Sequence, residues 1–483
     1  MRLDADACYA ALCARDRRFD GLFFVGVATT GIYCRPVCAA RTPGKTRCSY
    51  YASPAEAERA GFRACFRCRP ELAPGACAVD ALPRLVAQAV ARIDEGFLDA
   101  HGVDELARAL GVTGRHLRRA LEEQVGASPL ELAQSRRLAL AKRLLQDSRL
   151  GVTDVAFASG FGSVRRFNAA FRERFGRAPT ELRREHAPAA ETLALRLDYR
   201  PPLEWATLLE FLRVRAIAGV EAVAGDEYRR VVHLAGKTGV VRVRPDGERP
   251  ALRAELALEL AGAVTPLIAG LKKLFDLDAE PTAVAERLGR DPLLRAGLRR
   301  RPGLRVPGCV DAFEMAARAV VGQQVSVKAA VTLMGRLAQR LGAAVSGGEA
   351  LGLTRRFPTA AEVAAASVDE LASVGMPRAR ATTLRDAAQV FASGRFDRLR
   401  AGDEADFINE VGAIRGIGPW TLDYLKMRAL HLPDAFPAGD LGVRNALGGV
   451  TAAAALARAE AWRPWRAYAV VHLWTALGEG EKR

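Results

Sequence analysis

What this 483-residue sequence lacks narrows it first. No apolar run approaches the roughly 18 residues that a membrane-spanning helix needs. The stretch Met1 to Asp20 has neither the apolar core nor the small-residue cleavage site of a secretory signal. A cytoplasmic chain with no membrane partner is expected. Lysine is scarce, eight residues against 63 arginines. A guanidinium fork suits phosphates and guanine edges, although a GC-rich coding sequence would produce the same bias. Cysteine nearly vanishes after residue 77, where Cys309 stands alone. In a reducing compartment the other eight are expected as metal ligands, nucleophiles or bystanders rather than disulfide partners.

What is present begins with charge. The formal net charge is +16, and residues 1–80, 81–186 and 187–483 contribute +4, +5 and +7. Three basic regions, rather than one basic tail, imply that each meets a polyanion, with double-stranded DNA the first candidate. The cysteine-rich start is followed by apolar positions at helical spacing, such as Leu106, Leu110, Leu117 and Leu121. This pattern stops near Ala187 to Glu191, after which Leu193, Leu195 and Leu197 alternate as in a strand. Strand-like runs such as Val240 to Val243 then mix with helices to about Arg300, and the remainder is helical.

Cys34 and Cys38 form one close pair and Cys65 and Cys68 form another, with 26 residues between the pairs. Two pairs joined by a loop are the spacing of a four-thiolate Zn²⁺ site, each pair chelating from one turn. Cys8, Cys13, Cys48 and Cys77 lack that register and are taken as bystanders. The run Thr29-Thr30-Gly31-Ile32-Tyr33-Cys34-Arg35-Pro36-Val37-Cys38, with Tyr50-Tyr51 and Ala60-Gly61-Phe62-Arg63-Ala64-Cys65-Phe66-Arg67-Cys68-Arg69-Pro70, resembles the N-terminal domain of the Ada DNA-repair methyltransferase family. That resemblance implies that all four Cys hold zinc and that Cys34 accepts a methyl group from a DNA methylphosphotriester, once per molecule. A thiolate is the nucleophile, and zinc keeps it deprotonated at neutral pH. Methylation takes the cluster from −2 to −1, which lessens its repulsion from the phosphate backbone. No Pro-Cys-His-Arg motif is present, so the alkylguanine methyltransferase half of that family is absent.

In the helical middle, Val103 to Thr113 holds a helix, a Gly turn and a cap for a second helix, and about 49 residues later Val152 to Phe161 repeats the pattern. A linker helix, Pro129 to Leu145, would join two helix-turn-helix units. Arg115, His116, Arg118 and Arg119 would meet one groove segment and Arg165, Arg166 and Asn168 the next. A single such helix pair is common in any bundle, and each contact could be a phosphate clamp as well as a base reader. The duplication resembles the AraC-type DNA-binding domain, which implies promoter DNA, and RNA polymerase, as partners.

Further on, Gly416-Ile417-Gly418 makes a tight hairpin whose N–H groups can hold a phosphate, and Asp440 stands 20 residues beyond Trp420. Taken alone, Asp440 is more simply a helix cap than a catalyst. Hairpin and downstream Asp together resemble the helix-hairpin-helix DNA glycosylases. Leu274-Phe275-Asp276-Leu277, Pro307-Gly308-Cys309-Val310-Asp311-Ala312-Phe313-Glu314 and Trp462-Arg463-Pro464-Trp465-Arg466 extend the resemblance to the 3-methyladenine DNA glycosylase II (AlkA) family over nearly all of residues 193–483. It implies that Asp440 supports cleavage of the N-glycosidic bond, that Trp420, Tyr424 and Trp474 line the pocket for a flipped alkylated base, and that Gly416 and Gly418 bind the backbone. Those three aromatic residues could equally be core packing.

Bifunctional relatives carry a Schiff-base Lys where Trp420 stands, so a monofunctional glycosylase without cofactor is implied. Two positions depart from that family: Gln324 where a Leu wedge is expected, and Gly439 where an acidic residue precedes the Asp. The expected architecture is a multidomain α+β chain. It has a zinc-binding methyl-acceptor domain over 1–78, an all-α double helix-turn-helix domain over 84–186, a mixed α+β subdomain over 193–300 and a helix-hairpin-helix bundle over 301–483. The competing reading is a bacterial transcription regulator, at the nucleoid, whose glycosylase-like half does not catalyse.

Overall fold

The computed structural model describes residues 4–75, 84–183, 192–247, 249–396 and 404–480. Cys77 and the expected junction at Ala187 to Glu191 lie outside the described residues. The chain divides into two compact units, Met1–Pro201 with Asp246–Ala269 and Pro202–Pro245 with Gly270–Arg483.

The first unit opens with the helix Ala5–Ala14, capped by the Asp4 side chain. Its Cys8, Ala11 and Leu12 pack on Phe23 and Val25. Val25 belongs to β1 (Phe24–Val27), which pairs antiparallel with β2 (Ile32–Cys34) on one side and β3 (Cys48–Tyr51) on the other. β4 (Arg63–Ala64) adds to β2 in parallel, giving the order β3-β1-β2-β4. Gly26 has a packing reason: a Cβ there would lie 2.7 Å from the Tyr51 ring and 3.0 Å from that of Phe62.

The helical part of this unit follows the expected duplication. Val103–Ala109 and Gly114–Val125 form one pair, Val152–Ala158 and Val164–Phe175 the other, and the joining helix runs Pro129–Asp147. Thr113 caps its helix as expected, accepting from the His116 N–H, and Ser163 does the same for the Arg166 N–H. Leu117, Leu121 and Val125 face inward from one second helix, and Phe167, Phe171 and Phe175 from the other. That is the i, i+4, i+8 stripe of a helix with one buried face. The alternating leucines form β5 (Thr192–Asp198), with Leu193, Leu195 and Leu197 buried, paired antiparallel with β9 (Ala251–Ala257).

The second unit contains the antiparallel meander β6 (Glu221–Ala224), β7 (Glu227–Leu234) and β8 (Lys237–Pro245), the last holding the strand expected at Val240 to Val243. Its helical core gathers Phe313, Val320, Leu337, Leu371, Leu384, Phe407 and Leu425. Within it the helices Glu404–Gly412 and Pro419–Arg428 flank the Gly416–Gly418 hairpin.

Candidate functional sites

The two cysteine pairs meet because β2 and β4 are neighbours. Cys34 ends β2, and Cys38 closes a turn on the Arg35 carbonyl (3.1 Å). The N–H of Cys65, just after β4, donates to the Tyr33 carbonyl at 3.0 Å. The ligand atoms of Cys34, Cys38, Cys65 and Cys68 all lie within 4.8 Å of one another. A tetrahedral Zn²⁺ with Zn–S bonds near 2.3 Å needs sulfurs about 3.8 Å apart, so the donor set fits. Backbone N–H groups face two of the sulfurs, Arg35 toward Cys68 and Arg67 toward Cys65, each at 3.4 Å. The sulfurs crowd one another. Their mutual hydrogen bonds push the Cys34 thiol well up and hold Cys38 down to about 7. A divalent cation would relieve that competition by favouring all four thiolates.

The remaining cysteines behave differently. Cys8 is buried in the apolar cluster, where burial pushes its thiol up to about 11, and Cys48 packs against the same cluster. Cys13 is exposed.

In the helix-turn-helix region, Arg115, His116, Arg118 and Arg119 are exposed on Gly114–Val125, opposite its buried leucine stripe. Arg165 and Arg166 are exposed and Asn168 half-buried on Val164–Phe175.

Asp440 is at once the cap of a helix and the partner of two tryptophans. Its Oδ1 accepts from the Val443 N–H, which starts the helix Leu441–Ala446, and from Trp474 Nε1, both at 2.9 Å. Its Oδ2 accepts from Trp420 Nε1 at 3.1 Å. Of about four lone-pair positions on a carboxylate, three are taken and one on Oδ2 stays open. Gly442 permits this arrangement, because a Cβ there would stand 3.1 Å from both Asp440 Oδ1 and the Trp474 ring. At Gly439 the nearest side-chain atom to an added Cβ is 3.7 Å away, an ordinary contact, so packing does not require glycine there.

Aromatic rings wall the same region. Trp420 stacks on Tyr424 with centroids 5.3 Å apart, and Trp474 stacks on Phe211 at 6.3 Å. A pocket that shares Phe211 and Tyr424 with these rings is otherwise lined by Cys309 and largely by charged groups, among them Arg215, Glu221, Arg318 and Arg428. Arg215 lies 3.8 Å and Arg428 4.9 Å from the Phe211 ring centre, and Arg428 donates to the Tyr424 hydroxyl at 2.8 Å. Gln324 is exposed in a left-handed conformation, φ +55°, while its neighbour Gln323 points inward. Gln323 Nε2 donates to the Gly416 carbonyl (2.8 Å) and to Thr421 Oγ1 (2.9 Å), tying the Gln324 loop to the hairpin.

Four family models cover the chain: the metal-binding domain of Ada over residues 7–71, a helix-turn-helix domain over 106–185, the AlkA N-terminal domain over 194–311 and the helix-hairpin-helix base excision DNA repair superfamily over 317–466. A probable bifunctional transcriptional activator/DNA repair enzyme AlkA of Mycobacterium tuberculosis is 40% identical, covering 99% of this chain and 97% of its own length. This chain belongs to that family.

The chain is also similar to DNA-3-methyladenine glycosylase 2 of Escherichia coli, 36% identical over 58% of this chain and 97% of its own. A solved 3-methyladenine DNA-glycosylase from Archaeoglobus fulgidus shares the fold at TM-score 0.52 and 24% identity, over 58% of this chain and 97% of its own.

Three site residues escaped the sequence. Phe211 sits at a half-buried position of the amphipathic helix Trp205–Arg213, where periodicity reads it as core. Arg428 and Gln323 carry no local signal, since their roles depend on what other segments place beside them.

Proposed function

We propose that this protein repairs alkylated DNA and couples that repair to gene regulation. In this reading residues 1–78 form a methyl acceptor, 84–186 a promoter reader that recruits RNA polymerase, and 193–300 with 301–483 a monofunctional glycosylase, in the bacterial cytoplasm at the nucleoid. The family-model spans and the relationship to bifunctional AlkA proteins support it.

The glycosylase assignment rests on the Asp440 carboxylate, clasped by the indole N–H groups of Trp420 and Trp474. Trp420, Tyr424 and Trp474 would take up a base flipped from the stack, their electron-rich faces favouring a cationic alkylpurine. The bond from C1′ to the base nitrogen breaks with its electron pair going to the base, which neutralises its charge. Water then bonds C1′ and gives up a proton. Asp440 would stabilise the cationic sugar through its open Oδ2 position, or orient that water. Gly416 and Gly418 would hold the backbone while Gln324 fills the vacated stack. The indole N–H groups of Trp420 and Trp474, both turned to the Asp440 carboxylate, favour the site reading over core packing for those two rings, while Tyr424 also packs on the helical core.

At the cysteine cluster, zinc when bound would supply charge that keeps thiolates at neutral pH. The Cys34 sulfur would bond the methyl carbon as the methyl–oxygen bond of the phosphotriester breaks, its electron pair leaving with the phosphodiester. The protein keeps a thioether, so each molecule reacts once. Arg115, Arg118, Arg165, Arg166 and Asn168 would contact the operator.

Base release from alkylated duplex, compared between the intact chain and Asp440→Asn, tests the glycosylase. Release should fall at least about a hundredfold, on the scale of losing one electrostatic stabiliser. Equal release would remove Asp440 from the reaction, and no release by either would favour a regulator with a non-catalytic half. For the acceptor, incubation with methylphosphotriester DNA should add one methyl group to the peptide containing Cys34 by mass spectrometry. An unmodified Cys34 would reduce the domain to a structural clamp.

A further inference from the structure

Arg35 follows Cys34 directly, yet its side chain leaves the cysteine cluster and ends in a buried charge network. Its guanidinium binds both carboxylate oxygens of Asp20, at 2.8 Å from Nε to Oδ1 and through Nη2 to Oδ2. It also binds Asp198 Oδ2 through Nη1 at 2.8 Å, and Nη1 lies 3.4 Å from the Cys68 carbonyl. Arg35, Asp20 and Asp198 are 6%, 6% and 9% exposed. Asp20 comes from the loop before β1, within the cysteine domain, but Asp198 ends β5 and lies in the stretch matched by the AlkA N-terminal domain.

The contact is built from several sides. Arg196 Nε holds the other oxygen of Asp198 at 2.8 Å, so this carboxylate lies between two guanidinium groups. Two residues beyond Asp198, the buried Arg200 donates to the Asp20 and Gly75 carbonyls at 3.1 and 2.7 Å. Arg143, on the helix Pro129–Asp147, reaches the Arg196 carbonyl. The strand end is therefore fastened to both neighbouring segments of the same unit.

The main chain of Arg35 is what this network orients. Its N–H is the one that faces the Cys68 sulfur at 3.4 Å, and its own carbonyl takes the Cys38 N–H that closes the cysteine turn. Clamping the guanidinium between two carboxylates limits how the Cys34–Arg35 peptide can turn. Groups that orient metal ligands in this way, without touching the metal, commonly set how tightly the metal is held.

We propose that Asp198 is a positioning residue of the cysteine cluster, acting through Arg35, so that a side chain from the glycosylase segment completes the methyl-acceptor site. The proposal rests on the metal-site reading above and does not require that methyl transfer occur. It also gives this fused chain a contact that a cysteine domain alone would not contain.

The test measures Zn²⁺ release from the zinc-loaded full chain to a chromophoric chelator. Asp198→Asn keeps the shape and removes the charge, and Arg35→Lys keeps the charge and removes the fork. Each should speed release by about tenfold, on the scale seen when such orienting groups are lost, when release is compared at the same distance below each variant's own thermal midpoint. The double variant should release no faster than Arg35→Lys alone, because Asp198 acts only through Arg35. Release rates equal to the parent's under that comparison, or additive effects, would each overturn the proposal. Failure of the parent chain to retain Zn²⁺ would overturn the metal-site reading itself, and a parent that binds Zn²⁺ but leaves Cys34 unmethylated would overturn only the acceptor chemistry.

Discussion

Individual side chains carry two jobs at Asp440, where one oxygen starts a helix and both oxygens hold indoles. At a different residue, burial predicts acid sensitivity of the second unit. His472 is buried, and burial together with the nearby Arg301 charge pushes its imidazole down to about 4. Its ordinary value is near 6.5, so between pH 6.5 and 4 the unfolded chain binds a proton that the folded chain refuses. The stabilisation is complete above pH 6.5 and is lost as pH falls through that window, at most about 3 kcal/mol. His472→Gln should flatten this dependence: its thermal midpoint should fall less than the parent's between pH 7 and 4.5. Parallel decline of the two proteins would show that another group controls the acid transition.

Helices, strands and their turns were the most legible level. Leu117 and Leu121, or Phe167 and Phe171, declare a buried stripe because an α-helix returns to the same face every 3.6 residues. Leu193, Leu195 and Leu197 declare β5 by alternation. The hairpin was legible as a Gly-x-Gly signal, but the spacing does not say that its two glycines are unequal. Gly416 has φ +92° and would place a Cβ 2.3 Å from Thr383 Oγ1, which is itself bonded to the Arg415 carbonyl at 2.8 Å. Gly418 has φ −97° and open space around it. Gly416→Ala should therefore cost about 1–3 kcal/mol in a denaturation curve and weaken binding to duplex DNA, whereas Gly418→Ala should leave the denaturation curve nearly unchanged. Equal costs would place the constraint elsewhere in the turn.

At the level of the entire chain the net charge of +16 is a statement about its polymer partner. Each phosphate neutralised contributes about −0.9 to the slope of log affinity against log salt on duplex DNA. Replacing Arg165 and Arg166 together by Ala should make that slope less negative by about 1.8 if both clamp phosphates. A salt slope unchanged from the parent's would assign them to base edges or to no contact.

Composition, spacing and periodicity were enough to mark the cysteine pairs, the duplicated helix pairs and the hairpin followed by Asp440, because each is a short-range pattern imposed by turn geometry or helical repeat. They could not reveal that Phe211 stacks on Trp474, that Gln323 ties its loop to Gly416, or that Arg35 reaches Asp198 across 163 positions. Those contacts join segments with no fixed separation along the chain, and a side chain's partner across such a distance is chosen by packing and by the need to neutralise buried charge.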